Sequence, residues 1–184
     1  MRSVFSSSCA LAAAGLLLAT AWAHAQEVPP AGYESAGICP FECCTYRDWT
    51  ADADIPVHAR RSERAPVLFR LRRGETLRAL TGVVVTDKPG VVKVTRPLQG
   101  GTLVHGGGPA LSLQAGDTVY RLAPLGEGVY RFWYHGKVYQ SSEDMLPMPT
   151  VREAETTWWK QVRNRQGQTG WTRSDRFQGA DACG

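Results

Sequence analysis

Beyond residue 50 the apolar positions fall in short runs rich in β-branched and aromatic residues, and turn-forming residues separate the runs. Ile55-Pro56-Val57-His58-Ala59 reads as an extended run whose proline suits a sheet edge. Residues 67–71, 76–81, 83–86 and 91–94 follow as strands, with turns at Arg72-Arg73-Gly74-Glu75 and Asp87-Lys88-Pro89-Gly90. Gly100-Gly101 and Gly106-Gly107-Gly108-Pro109 bound a flexible stretch. After it, Gln114-Ala115-Gly116-Asp117 repeats the polar glycine turn of residues 72–75. Residues 118–122, 129–134 and 137–139 read as strands, the last two joined by a hairpin at His135-Gly136. Residues 141–155, with Pro147 and Pro149, read as a loop with room for one helical turn. Residues 158–162 and 170–173 are the final strands, around Asn164-Arg165-Gln166-Gly167. No 3.6-residue apolar period persists, so the pattern predicts an all-β fold of small barrel type.

The N-terminus follows another logic. Arg2 precedes a small and apolar run over residues 10–23, and Ala23-His24-Ala25 supplies a small-x-small cleavage site before Gln26. That order is a secretory signal peptide over residues 1–25, and its apolar run is too short to span a bilayer. Cys9 precedes the apolar core instead of ending it, which argues against lipidation. Residues 26–37, with Pro29, Pro30 and Gly32, read as a flexible lead-in. No later segment is apolar enough to cross a membrane. The net charge of +4 is well mixed and demands no nucleic acid.

Export places Cys39, Cys43, Cys44 and Cys183 in an oxidising compartment, where an even set reads as disulfides. A bond between the neighbours Cys43 and Cys44 would strain their linking peptide. Both other pairings join Cys183 to Cys43 or to Cys44 and leave Cys39 for the remaining one. Either staples the tail to the start of the mature fold. A four-cysteine zinc site is the alternative, disfavoured because Cys183 stands alone.

With these elements in order, the chain resembles an exported protein containing a bacterial SH3 (SH3b) domain. The opening carries it at residues 57–59, at residues 67–71 and at Gly74-Glu75-Thr76-Leu77. The more specific ending lies in Trp159-Lys160-Gln161-Val162, the polar turn of residues 163–168 and Gly170-Trp171-Thr172. The resemblance implies small SH3-like barrels, either two in tandem or one with a large β insertion, because residues 86–155 separate the two halves. The division expected is a cysteine cap and first unit over 38–97, and a second unit over 98–184 ending in the stapled tail. The Cys39-Pro40-Phe41-Glu42-Cys43-Cys44 cap lies outside the plain family pattern.

Catalytic sets are missing. His58, His105 and His135 show no metal spacing, and nothing singles out a nucleophile, base and orienting group. The glycines of residues 106–108 lack the following Lys-Ser of a phosphate loop. The chain is therefore read as a non-enzyme without cofactor or metal. Aromatic doublets are the better lead: Trp133-Tyr134 and Trp158-Trp159 should each send one ring inward and one outward. With Val162 facing the core, the resemblance puts Trp159 at the surface groove, with Trp158, Trp133, Tyr134 and Trp171 as further ligand-binding candidates. Arginines at 60–61, 70, 72–73, 163 and 165 could recognise carboxylates. The function expected is a non-catalytic periplasmic or secreted binding and scaffolding module that contacts peptidoglycan or peptide segments of envelope proteins. The alternative is a disulfide-stapled structural or interaction subunit of an envelope complex with no cell-wall binding.

Overall fold

A computed structural model describes residues 28–103, 111–142 and 149–183. The segments read as signal peptide, the Gly106–Gly108 run with His105, and most of the loop before residue 150 lie outside them. Among the described residues fifteen strands follow one another: β1 Tyr33–Ala36, β2 Asp48–Ala51, β3 Ile55–His58, β4 Val67–Leu71, β5 Thr76–Lys88, β6 Gly90–Lys93, β7 Leu98–Leu103, β8 Leu111–Leu113, β9 Thr118–Gly126, β10 Val129–Tyr134, β11 Lys137–Ser142, β12 Thr150–Arg152, β13 Glu155–Arg163, β14 Thr169–Thr172 and β15 Phe177–Gln178. Among the described residues there is no helix, and none therefore long and apolar enough to cross a membrane.

Two curled sheets carry the all-β fold. The first has eight strands in the order β15-β2-β5-β13-β14-β3-β4, with β1 also on β5. The second has five, in the order β11-β10-β9-β6-β12, and β7 and β8 form a separate hairpin. Part of the segment read as a flexible lead-in is thus a strand, because Tyr33 to Ala36 find open backbone partners along Thr86 to Val83. The turn expected at residues 87–90 is a sheet change, since β5 and β6 do not pair. β6 joins β9 and β12 in the second sheet instead.

The two runs expected at residues 76–81 and 83–86 are one thirteen-residue strand. Its register against β13 shifts where Gln161 faces Thr81 and Val162 faces Ala79, so Leu80 is an extra residue. Such a bulge bends a strand. The first half of β5 then puts Leu77 and Ala79 into a core with Trp49, Ala51, Ile55, Val57, Leu71 and Val162. The second half turns Val84 towards Ile38 and Ala123, the seam between the sheets, where the Thr86 hydroxyl donates to the Leu122 carbonyl at 3.1 Å.

The second sheet repeats the first inside it. At one turn Glu75 N–H bonds the Arg72 carbonyl, the Glu75 carboxylate accepts Arg72 N–H, and Gly74 N–H reaches Ala51 O at 2.7 Å. At the other turn Asp117, Gln114, Gly116 and Val94 make the same three bonds, the last at 2.8 Å. Both glycines sit at positive φ, +83° and +98°, which a side chain rarely adopts. Pairing matches as well: β2·β5 corresponds to β6·β9, β5·β13 to β9·β10, β13·β14 to β10·β11 and β3·β4 to β7·β8. In chain order the strands of the second sheet, β6 and β9–β12, lie between β5 and β13, which pair with each other in the first sheet.

Equivalent core positions trade volume. Trp49 corresponds to Val92, Ala51 to Val94, Val162 to Phe132 and Gly170 to Tyr139, each buried in its own core. A Cβ on Gly170 would meet Val57 Cγ1 at 2.7 Å and the His58 carbonyl at 2.8 Å, so the first core has no room where the second places Tyr139.

Disulfides Cys39–Cys44 and Cys43–Cys183 tie the cap to itself and to the tail. Cys43 takes φ 56°, and the tail lies along the cap through Thr45 N–H to Ala180 O and Ala182 N–H to Cys43 O. Cys39, Cys43, Cys44 and Cys183 are thus all held in disulfides.

Candidate ligand groove

Along β13 the side chains of Trp158, Lys160 and Val162 share the inner face, and Val162 is fully buried. Alternation sends Trp159 to the opposite face, beside its β5 partner Val83. The loop between β3 and β4 folds over that face. It is closed by Ala59 N–H to Pro66 O at 2.9 Å and Ala65 N–H to Ser62 O at 3.0 Å. His58 is buried with Nδ1 at 2.9 Å from the Ala65 carbonyl, so that nitrogen carries a proton and the ring braces the loop.

Between this loop and the sheet run two adjoining depressions of about 510 and 300 Å³ that share Glu63, Trp159 and Arg173. Trp159 is only 7% exposed, so it offers an edge to the groove while the rest of the ring is packed. Its indole N–H has no hydrogen-bond partner among the described residues. Thr157 at the rim donates to Asp87 at 2.7 Å.

Charges surround that edge, and four of them are paired. Arg61 Nη2 donates to both Glu34 oxygens, at 2.7 and 2.6 Å, with the guanidinium 5.0 Å from the Trp171 ring. Arg173 donates to Glu63 at 2.6 Å. Arg64 is exposed, lines the larger depression and has no side-chain partner among the described residues. Among the described residues the groove therefore offers three unmet donors, the Arg64 guanidinium, the buried Arg61 Nε–H and the Trp159 indole N–H, beside Asp87, a carboxylate whose one partner is the Thr157 hydroxyl.

Lys160 holds the far wall. Its side chain is fully buried, and Nζ donates to the carbonyls of Arg173 at 3.0 Å and Ser174 at 2.7 Å and to the Asp175 carboxylate. Burial pushes its pKa down while Asp175 opposes the shift. Nζ also lies 4.1 Å from the Trp158 ring centre. A buried ammonium needs such partners, and here they fix the residues that face the groove.

The five aromatic candidates do not form one site. Trp159 lines the groove, and Trp171 stands beneath Arg61. Trp158 lies on the other face of β13, among Phe41, Tyr46 and Trp49. Trp133 is buried in the second sheet, edge-on to Tyr33 at 5.6 Å. Tyr134 donates to Asp117 at 2.8 Å beside a depression of about 220 Å³ that also touches Tyr120 and His135. Burial and Asp117 push the Tyr134 phenol up to about 12. Sequence reasoning missed Arg64, Glu63 and Arg173 as groove residues. The arginine pair at 60–61 was the available signal, but only folding of the loop decides which guanidinium stays free.

Compared with protein-family models, with curated proteins and with solved structures, the chain matched none.

Proposed function

We propose that the protein is a non-catalytic SH3-like binding module of an extracytoplasmic compartment, recognising a carboxylate-bearing peptide at the Trp159 groove. Two disulfides suit an oxidising compartment, as the signal-peptide pattern of residues 1–25 does. The observation that carries the reading is the pairing of an unpartnered Trp159 indole N–H with the free Arg64 guanidinium on one groove. A carboxylate accepts from both donor types, and a guanidinium binds it in a forked geometry. Peptidoglycan stem peptides and acidic segments of envelope proteins carry such groups.

The test is cosedimentation with purified peptidoglycan. Trp159→Ala is a poor variant, since deleting so buried a ring costs about 3–5 kcal/mol and confuses unfolding with lost affinity. Trp159→Phe keeps most of the ring and removes the donor, and Arg64→Ala removes an exposed charge. Each should weaken binding about fivefold or more, with Arg64→Ala leaving thermal stability unchanged. Wall binding that both variants leave intact refutes the groove assignment. An absence of wall binding moves the target to a protein, found by crosslinking in the periplasm.

A further inference from the structure

On the other side of β13 lies a second cleft, of about 520 Å³, between the cysteine cap and the C-terminal tail. Its floor is Trp158 and the buried Trp49, and its walls are Phe41 and Phe177. Trp158 packs 5.8 Å from Phe41 and 6.1 Å from Trp49, and Trp49 packs 5.4 Å from Phe177. The indole donors are already used, Trp158 on the Tyr46 hydroxyl at 3.1 Å and Trp49 on the Thr45 carbonyl at 2.9 Å. The tail carbonyls are satisfied too: Ala180 by Thr45 N–H, and Gly179 and Asp181 by Arg47, which does not line the cleft. What remains is apolar ring surface, with Phe41 exposed at the mouth.

Among the described residues the charged side chains that line this cleft are two carboxylates, Asp175, which is paired with the buried Lys160 behind Trp158, and Asp181, which has no cationic side-chain partner. Asp175 commits one oxygen to Lys160, and Asp181 accepts Cys183 N–H at 2.7 Å with one of its own. The second oxygen of each has no partner among the described residues. The Cys39–Cys44 bond closes the loop bearing Phe41, and the Cys43–Cys183 bond holds the tail wall, so the cleft exists before any ligand arrives.

We propose that this cleft is a second binding site, across β13 from the Trp159 groove and touching its smaller depression at Asp175, for an extended peptide segment of a partner protein in which an apolar side chain adjoins lysine or arginine. The apolar side chain enters between Phe41 and Phe177, and the neighbouring cation meets Asp175 and Asp181. An acidic segment of the kind proposed for the Trp159 groove is repelled here.

The experiment is calorimetric titration of the full disulfide-bonded chain with a blocked heptapeptide alternating leucine, lysine and proline. Two control peptides carry glutamate in place of lysine or serine in place of leucine. The basic, apolar peptide should bind and both controls should not. Phe41→Ala, at an exposed position, should weaken binding about tenfold, and Asp181→Asn about threefold. Trp159→Phe should leave this binding unchanged, which separates it from the groove. Equal binding of all three peptides, or indifference to both cleft variants, overturns the proposal. So does a chain that self-associates through the cleft in sedimentation equilibrium and loses that association in Phe41→Ala.

Discussion

Gly82→Ala tests whether the cap and the first sheet are locked together by shape. Gly82 lies on β5 opposite Lys160, under the Tyr46 hydroxyl that accepts from Trp158 and donates to the Ile38 carbonyl. A Cβ there would run into the Tyr46 hydroxyl and the Trp158 indole nitrogen, and would stand 2.9 Å from Ile38 O. These neighbours are ring atoms on packed side chains and a backbone carbonyl, none a flexible end. Overpacking of this kind costs about 1–3 kcal/mol. Breaking the two bonds through the hydroxyl adds about 1 kcal/mol each. The stiffer unfolded chain returns about 0.4–1 kcal/mol. The net loss is about 2–4.6 kcal/mol, read by urea denaturation with tryptophan fluorescence. Tyr46→Phe removes the atom that the new methyl strikes, so the double variant should lose less than the sum of the single ones. A Gly82→Ala chain within about 0.5 kcal/mol of the parent, or strict additivity with Tyr46→Phe, refutes the reasoning.

Replacing Cys43 and Cys183 together by serine opens a link of sequence separation 140 and should cost about 5 kcal/mol, against about 2 kcal/mol for Cys39 and Cys44, whose separation is 5. Guanidinium melts of the two double variants should keep that order if the loop-entropy account holds. Burial pushes the Tyr46 phenol up to about 12, outweighing the Trp158 hydrogen bond. The unfolded chain then gives up this proton near pH 10 while the folded chain keeps it. This contribution is whole below pH 10 and is lost as pH rises from 10 to 12; Tyr46→Phe should flatten that part of an alkaline denaturation profile. His135 and Gly136 both hold positive φ, 45° and 77°, in the two-residue turn between β10 and β11, where Asn-Gly is favoured. His135→Asn should therefore raise thermal stability, by about 0.5 kcal/mol, and a lower melting temperature would count against the turn argument.

The local grammar of the chain was legible. Runs of β-branched and aromatic residues between glycine turns give strands at 67–71, 118–122 and 129–134, the second running on to Gly126 in the fold, because backbone preference and turn chemistry act over a few residues. The cysteines were legible for a similar reason: excluding one strained neighbour bond leaves Cys183 with Cys43 or Cys44, and the fold selects Cys43. The two similar polar glycine turns were visible in sequence, and each closes the same hydrogen-bonded corner.

Only the tertiary structure decided what those pieces become. Strand pairing is long-range, so nothing near Pro89 reveals that the chain leaves one sheet there and returns to it at Glu155. Period-two alternation says that Trp158 and Trp159 part company, but burial depends on what folds over each face. The 59–66 loop covers Trp159, and the disulfide-tied cap leaves a cleft above Trp158. Lys160 shares the face of Val162 by alternation, and it is fully buried because the chain after β14 curls back to give it two carbonyls and a carboxylate. Sequence fixes which backbone a residue prefers and which neighbours share its face, since those are properties of adjacent atoms. Solvent access and partners are properties of distant segments meeting, and for Trp159, Lys160 and Phe41 that meeting settled their roles in packing.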